Sequence, residues 1–350
     1  MGSCQSDCRD KQEIDPYNVP KEQEPLKLED AESQQKIIKI QSFARGYKAK
    51  QEVQELKKQV NSNAPPREVA LPYEGPMATD KLQVQKILND KFNWPARPEF
   101  KEFIRLPPFK FIQSGAIYKG QWNNGLRHGR GIQFWPDGSV YQGDWVEDMA
   151  DGKGRLIHPD GDYYQGDWQK DRAQGIGIFV HVDGNKYEGE WYQDKQHGQG
   201  VEEQQDFIYR GSFQNGLKHG KGKIIWKNDG TSYEGDFYEG LMEGTGRFIF
   251  QNGKIYNGQW FKSKMHGHGE LIYPDGRKYT GSFVEGQKNG LGKMEYPDGK
   301  IYEGEWKNGK QHGQGQVTTP DGRIGQGYWE EGKRVKNYDQ MNQQHQEVGL

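Results

Sequence analysis

Three groups of residues in this chain have types and spacings that could do chemistry. Five of the nine histidines, His128, His197, His219, His266 and His312, each stand directly before a Gly-x-Gly run. Imidazoles bind zinc at roughly 2 Å, and glycine-rich turns that open a helix cradle phosphates. The spacing argues against both. The histidines fall in equivalent slots of a repeating pattern, and equivalent slots one repeat apart lie about 10 Å from each other, too far to share one ion. Each Gly-x-Gly leads into a strand-like run, not a helix. The carboxylates occupy surface-like positions without a paired arrangement. The sequence therefore predicts no enzyme, no metal site and no cofactor; calcium would enter only indirectly, through a partner.

The second group opens the chain. Met1-Gly2-Ser3-Cys4-Gln5-Ser6-Asp7-Cys8 fits the Met-Gly-x-x-x-Ser pattern for acylation of the Gly2 amine by myristate, with Cys4 and Cys8 as thiols for palmitate. One myristoyl chain binds membranes only marginally, and a second makes the attachment stable. Arg9 and Lys11 are offset by Asp7, Asp10 and Glu13, so cysteine acylation would have to be that second signal. The alternative is a disordered tail with two idle thiols.

The third group is Ile40-Gln41-x-x-x-Arg45-Gly46-x-x-x-Lys50-x-x-Val53. It lies in residues 32–60, rich in helix formers, free of proline and with one glycine. Ile37, Ile40, Ala44 and Tyr47 fall at helical spacing on one stripe, with Phe43 beside it, and Lys36, Lys39, Arg45, Lys48 and Lys50 supply positive charge. The segment resembles the IQ motif, by which calmodulin and related EF-hand light chains are recruited. That resemblance implies Ile37, Ile40, Gln41, Arg45, Gly46, Lys50 and Val53 as the calmodulin-binding residues. The other reading is an amphipathic helix that packs on its own repeat array or on a membrane.

Behind these groups stands the stretch that organises the chain. Tyrosine recurs at Tyr118, Tyr141, Tyr164, Tyr187, Tyr209, Tyr233, Tyr256, Tyr279 and Tyr302, at intervals of 22 to 24 residues. Each begins Tyr-x-Gly-x-aromatic, a polar turn, Gly-x-Gly, an apolar run and usually Asp-Gly. The aromatics are Trp122, Trp145, Trp168, Trp191, Phe213, Phe237, Trp260, Phe283 and Trp306. A tenth copy starts at Gly325 and is partial. Residues two apart share a face of a strand, so each tyrosine, its glycine and its aromatic line one face. Each repeat reads as a β-hairpin, and Asp-Gly joins it to the next. Helix is excluded by the glycine density, at about 1 kcal/mol per internal glycine. The fold class expected is mainly β: an elongated single-layer antiparallel sheet of tandem hairpins, with an N-terminal helical segment. Some eighteen strands at roughly 4.8 Å would give a rod about 85–90 Å long. Repeat four (Tyr187 to Asp206) carries EEQQDF in place of Asp-Gly and repeat five has an additional residue, so an irregularity is expected around residues 201–230.

The pattern resembles the MORN repeat (membrane occupation and recognition nexus), whose signature is this Tyr-x-Gly-x-Trp…Gly-x-Gly spacing. The resemblance spans residues 118–332, with Phe213, Phe237 and Phe283 departing from tryptophan. It implies a scaffold that binds protein partners or dimerises along the repeats, or alternatively a module that binds acidic phospholipids and targets or bridges membranes. MORN arrays also occur attached to lipid-phosphate kinases and SET-type methyltransferases, but the remaining residues fit no such domain. Cytoskeletal and ciliary scaffolds such as radial-spoke-head proteins, and junctophilins, look most similar; the junctophilins' membrane span is not found here.

Composition narrows the choice. Net charge is −2, hydrophobic content is 32% and glycine is 48 of 350, which suits a thin repeat sheet better than a thick core. Residues 137–206 hold 6 Lys and Arg against 16 Asp and Glu, whereas residues 207–323 hold 17 against 13. Only the second half would favour an anionic membrane, and nucleic acid is not an expected partner. No apolar run reaches 18 residues, no secretory-type apolar stretch opens the chain, and two cysteines four apart make no disulfide framework. An intracellular address follows, at the cytoplasmic face of a plasma or ciliary membrane or at the cortex, with the axoneme as the alternative. The organisation expected is an acylated flexible start (1–30), the IQ helix (31–60), a Pro-rich linker (61–78), a short helix and apolar cap (79–117), the repeats (118–332) and a disordered tail (333–350). In the cap, Thr79 is the expected N-cap of a helix reaching about Asp90, with Leu82, Ile87 and Leu88 as its apolar residues.

Overall fold

The structure, a computed structural model, describes residues 69–90, 92 and 103–335. The lipidation residues Gly2, Cys4 and Cys8 and all seven IQ residues lie outside the described residues. The chain divides into two compact units, whose described parts are residues 69–257 and 258–335.

The first unit begins with β1 (Ala70–Pro72), helix α1 (Leu82–Asn89), β2 (Ile104–Arg105) and β3 (Phe109–Phe111). Hairpins follow without interruption: β4 (Ile117–Asn123) and β5 (Leu126–Phe134), β6 (Val140–Val146) and β7 (Met149–Ile157), β8 (Tyr163–Gln169) and β9 (Arg172–Val180), β10 (Lys186–Tyr192) and β11 (Lys195–Glu203), β12 (Phe207–Gln214) and β13 (Leu217–Trp226), then β14 (Ser232–Tyr238) and β15 (Leu241–Ile249). Every strand pairs antiparallel with its neighbours in sequence from β3 to β15. A strand β16 (Ile255–Phe261) spans the boundary. The second unit continues with β17 (Lys264–Ile272), β18 (Lys278–Val284), β19 (Gln287–Glu295), β20 (Ile301–Lys307), β21 (Lys310–Thr318), β22 (Ile324–Glu330) and β23 (Lys333–Arg334), again antiparallel in chain order. The protein is mainly β, an open antiparallel sheet of hairpins.

Two turn chemistries alternate. Within a hairpin the loop is two residues, both at positive φ, as at Asn124 (φ 50) and Gly125 (φ 75). This twist matches that of the flanking strands. Between hairpins the Asp-Gly turn holds itself: Asp137 Oδ1 accepts the Ser139 N–H at 2.8 Å, and Gly138 N–H donates to the Trp135 carbonyl at 3.0 Å. The irregularity expected near 201–230 falls in two loops. Gln204 N–H closes on the Phe207 carbonyl at 2.9 Å, and Gly230 N–H closes a longer loop on the Trp226 carbonyl at 3.0 Å. The pairing of Glu202 with Tyr209 and of Ile224 with Tyr233 is undisturbed, so the repeat face runs through.

One feature of every hairpin is not a simple ladder. In β20 and β21, Gly304 pairs with Gly315 and Trp306 with Gln311, which leaves His312, Gly313 and Gln314 opposite Glu305 alone. Gly313 sits at φ +63, where a side chain would be strained. The bulge bends the strand and increases its local twist.

At the N-terminal edge, β3 pairs with both β1 and β4, and Ile104 pairs with Trp122. Phe109 meets Trp122 edge-on at 5.5 Å between ring centroids. Helix α1 starts at Leu82 with Lys81 at the cap position, and no side chain caps it. Thr79 is thus not its N-cap. Its buried hydroxyl instead faces the Gly138 carbonyl at 3.4 Å, and its own carbonyl accepts the Gln85 side chain at 2.6 Å. The residue α1 buries is Val84, against Phe134, Val140 and Ile157, while Leu82 remains exposed. Arg155 closes the other end, donating to the Ile87 carbonyl at 2.8 Å.

Candidate functional site: the aromatic ladder and the face behind it

All eighteen ladder residues lie on one face of their strands, and all are buried, none more than 8% exposed. The rings of Tyr118, Tyr141, Tyr164, Tyr187, Tyr209, Tyr233, Tyr279 and Tyr302 each lie across two bare backbones, their own repeat's glycine and the paired glycine of the next strand. Around Tyr279, a Cβ placed on Gly281 would stand 2.5 Å from the phenol oxygen and 2.6 Å from the Gly292 Cα. The phenol hydroxyl then donates to the carbonyl three residues on, as from Tyr118 to Gln121 at 2.9 Å, Tyr209 to Ser212 at 2.9 Å and Tyr302 to Glu305 at 3.0 Å. Burial pushes these phenols well above their ordinary range, so they stay neutral donors.

The aromatics complete the array. Tyr141 meets Trp145 of its own repeat at 4.9 Å and Trp168 of the next at 5.4 Å, both edge-on. The same alternation runs from Tyr164 through Trp191, Tyr187, Phe213 and Tyr209 to Phe237 in the first unit. In the second it runs from Tyr279 through Trp306 and Tyr302 to Trp329 of the partial tenth copy. Edge-to-face pairs contribute about 0.5–1.5 kcal/mol each beyond burial. Trp168, Trp191 and Trp306 also donate their indole N–H to a glycine carbonyl of the preceding repeat, at 3.1, 3.0 and 3.1 Å. Phenylalanine at 213, 237 and 283 keeps the ring contact and gives up that bond.

The ladder is therefore not a long exposed apolar face, as a single-layer sheet would suggest. Glycine lets the rings lie down on the sheet, and the rings cover one another. Between successive tyrosines sit Leu156, Phe179, Ile224, Phe248, Leu271 and Met294, all buried on the same face. Glu202 takes that slot in repeat four and forms a buried ion pair with Lys218 at 2.6 Å.

Many carboxylates that read as surface charge have structural tasks. In several repeats the carboxylate before the aromatic caps the bulge: Asp167 accepts the Ile176 N–H at 2.9 Å, Glu190 the Gln199 N–H at 2.7 Å, and Glu305 the Gln314 N–H at 3.1 Å. Asp148, Asp171 and Asp194 replace glycine in the hairpin turns at φ 67, 62 and 66. Each accepts a backbone N–H from the preceding hairpin at 2.7 Å, from Arg127, Ala150 and Ala173 respectively. A signal existed in the sequence: aspartate every 23 residues at a position that is glycine in other copies. Burial raises Asp194 to about 6, against the Ala173 N–H, which pulls the other way.

The opposite face is where side chains reach solvent. Of the five slot histidines, His128, His197, His219 and His266 lie there against Phe103, Tyr192, Tyr238 and Phe261, at 4.6 to 5.7 Å between ring centroids. Among the described residues no group of three His, Cys, Asp or Glu could hold a metal ion. Ile176, Tyr192, Ile225, Tyr238 and Leu291 are exposed on this face, interleaved with charged residues.

The MORN repeat model matches nine consecutive segments: residues 118–140, 141–163, 164–186, 187–206, 209–231, 233–255, 256–276, 279–301 and 302–322. The chain belongs to the MORN-repeat family. MORN repeats are commonly protein- or membrane-binding scaffold modules, and no catalytic family is indicated. No curated protein matches the sequence. Among solved structures, the TCP domain of SAS-4 (dCPAP) of Drosophila melanogaster, in complex with a proline-rich motif of Ana2 (dSTIL), overlaps 68% of this chain and 97% of its own at 9% identity and a TM-score of 0.22. An inactive virginiamycin B lyase of Staphylococcus aureus overlaps 67% of this chain and 73% of its own at 13% identity and a TM-score of 0.13. At these TM-scores neither overlap relates the folds. No helix among the described residues is long and apolar enough to cross a membrane.

Proposed function

We propose that this MORN protein is a non-catalytic scaffold, held to the cytoplasmic face of a membrane by acyl chains on Gly2 and on Cys4 or Cys8. Through residues 32–60 it recruits calmodulin or a related EF-hand protein, and it binds protein partners through the outward face of the array. The observation that carries the scaffold reading is how the ladder spends its polar groups. Tyrosine hydroxyls and tryptophan N–H groups bond to the array's own backbone, as Tyr187 does to Glu190 at 2.9 Å and Trp191 to Gly177 at 3.0 Å. What faces outward is a shallow surface of strands carrying exposed apolar and charged side chains, which suits a macromolecular partner. The acyl and EF-hand elements rest on sequence pattern: six matching IQ positions and a Met-Gly-x-x-x-Ser start beside two cysteines.

Partition of the protein expressed in eukaryotic cells tests the anchor. Wild type should sediment with membranes, Gly2→Ala should stay soluble, and Cys4→Ser with Cys8→Ser should bind weakly and reversibly. Equal membrane fractions for wild type and Gly2→Ala would remove the acyl anchor and favour the phospholipid-binding reading, with the lysine-rich second half as its contact.

A further inference from the structure

The outward face already accepts one helix. Helix α1 lies on the first two hairpins, with Val84 fully buried against Phe134, Val140 and Ile157. Beyond it the same face exposes apolar side chains among the described residues. In β9 and β10, Ile176 and Ile178 stand beside Glu190 and Glu188, and Tyr192 follows. Ile176 is 57% exposed and Tyr192 49%, and Glu188 and Glu190 are exposed as well. An apolar strip flanked by carboxylates is the complement of a basic amphipathic helix.

We propose that residues 32–60 dock as a helix on the outward face of the third and fourth repeats, against Ile176, Ile178, Glu188 and Tyr192. Charge, reach and continuity each support this occupant. Residues 36–50 carry Lys36, Lys39, Arg45, Lys48 and Lys50 and no carboxylate, while residues 137–206 hold 16 acidic against 6 basic residues. Of the two halves of the array, only this one attracts such a helix. The described chain enters at residue 69, next to β1 at the sheet's N-terminal edge. From β1, which pairs outside β3, to β9 is about 34 Å at ~4.8 Å per strand. Residues 60 to 69 can span about 30 Å, and ten helical residues before them a further ~15 Å, so the basic stretch 36–50 reaches that site. A second helix there would extend the contact that α1 begins. The inference rests on the reading of residues 32–60 as a basic amphipathic helix and deepens it. The same stripe would serve either the array or calmodulin, so the array would hold the helix closed until an EF-hand protein takes it.

The test uses the full-length protein, with a photo-crosslinking amino acid in place of Phe43. Intramolecular cross-links should map to residues 172–203 and should vanish when Ile176→Asp and Glu188→Lys are combined, two exposed sites whose replacement leaves the ladder intact. Calmodulin should then bind the variant about tenfold more tightly if the helix is docked nine-tenths of the time. Cross-links that are absent, fall between chains or map elsewhere overturn the docking, as does unchanged calmodulin affinity in the variant. If calmodulin binds neither protein while the cross-link forms and responds to the variant, the docking stands and the EF-hand reading fails.

Discussion

Replacing Gly281 by alanine adds one carbon, and the structure leaves no room for it. That Cβ would lie 2.5 Å from the Tyr279 oxygen, 2.6 Å from the Gly292 Cα and 2.7 Å from the Leu291 carbonyl oxygen. Two of the three atoms are backbone, so a side-chain rotation cannot relieve the contact. The paired backbones at Gly281 and Gly292 must part, and Tyr279 must lift from the sheet. Its hydrogen bond to Ser282 at 3.0 Å would be lost, along with edge-on contacts to Phe283 at 5.2 Å and Trp306 at 5.0 Å. Two ring pairs at ~1 kcal/mol each, one hydrogen bond at ~1 and the strain of overpacking at ~1–3 give about 4–6 kcal/mol. That equals or exceeds the ~3–5 kcal/mol expected for Phe283→Ala. Hydrogen exchange measured by mass spectrometry on Gly281→Ala, Gly281→Val and Phe283→Ala should show protection lost across residues 279–306 and kept across 118–200, since each hairpin contacts only its neighbours. Gly281 does not sit at positive φ, so a role in backbone twist alone would make alanine cost under ~1 kcal/mol. That result, or loss spread evenly along the array, would refute the reasoning.

The buried Glu202–Lys218 pair should behave as a coupled unit: Glu202→Ile alone strands the ammonium and should cost about 3 kcal/mol in urea unfolding. Adding Lys218→Met should recover most of that, because Ile224 and Met242 already fill the equivalent slots one repeat on. Asp194→Asn should stabilise the protein above pH 6 and do nothing near pH 4. Its folded-state pKa of about 6 lies above the unfolded value, so its ionisation penalises the fold as pH rises through that window and then levels off, on the order of 2–3 kcal/mol. Thermal melts at pH 4 and pH 7.5 check the sign.

The hairpin, its face and its turns were legible because they are written in period and parity. Tyr302, Gly304 and Trp306 recur with the spacing that a strand demands, and Asp-Gly marks each return. What parity cannot show is a register change. The bulge at His312–Gln314 adds residues to one strand only, and it alone explains why Glu305 is a cap and not a surface charge. The carboxylates at 148, 171 and 194 bond to residues 21 positions back, a distance along the chain that no local pattern reports. A one-layer sheet suggests an exposed ladder, and the ladder is buried for a packing reason. Paired glycines let a tyrosine lie flat, and flat rings seal a surface that upright ones would leave open. At the edge, β1 is three residues ending in proline, too short to carry a strand signature. Within α1, Leu82 looked as apolar as Val84, and only the position of the sheet decides that Val84 is the buried one.

The most direct test of the scaffold account is one co-sedimentation experiment with acylated protein, membranes and calmodulin, run in calcium and in chelator. Wild type should carry calmodulin into the pellet in at least one condition. Gly2→Ala should leave both proteins in the supernatant, and Ile40→Ala with Arg45→Ala should sediment without calmodulin. Calmodulin left in the supernatant by membrane-bound wild type under both conditions would contradict the account.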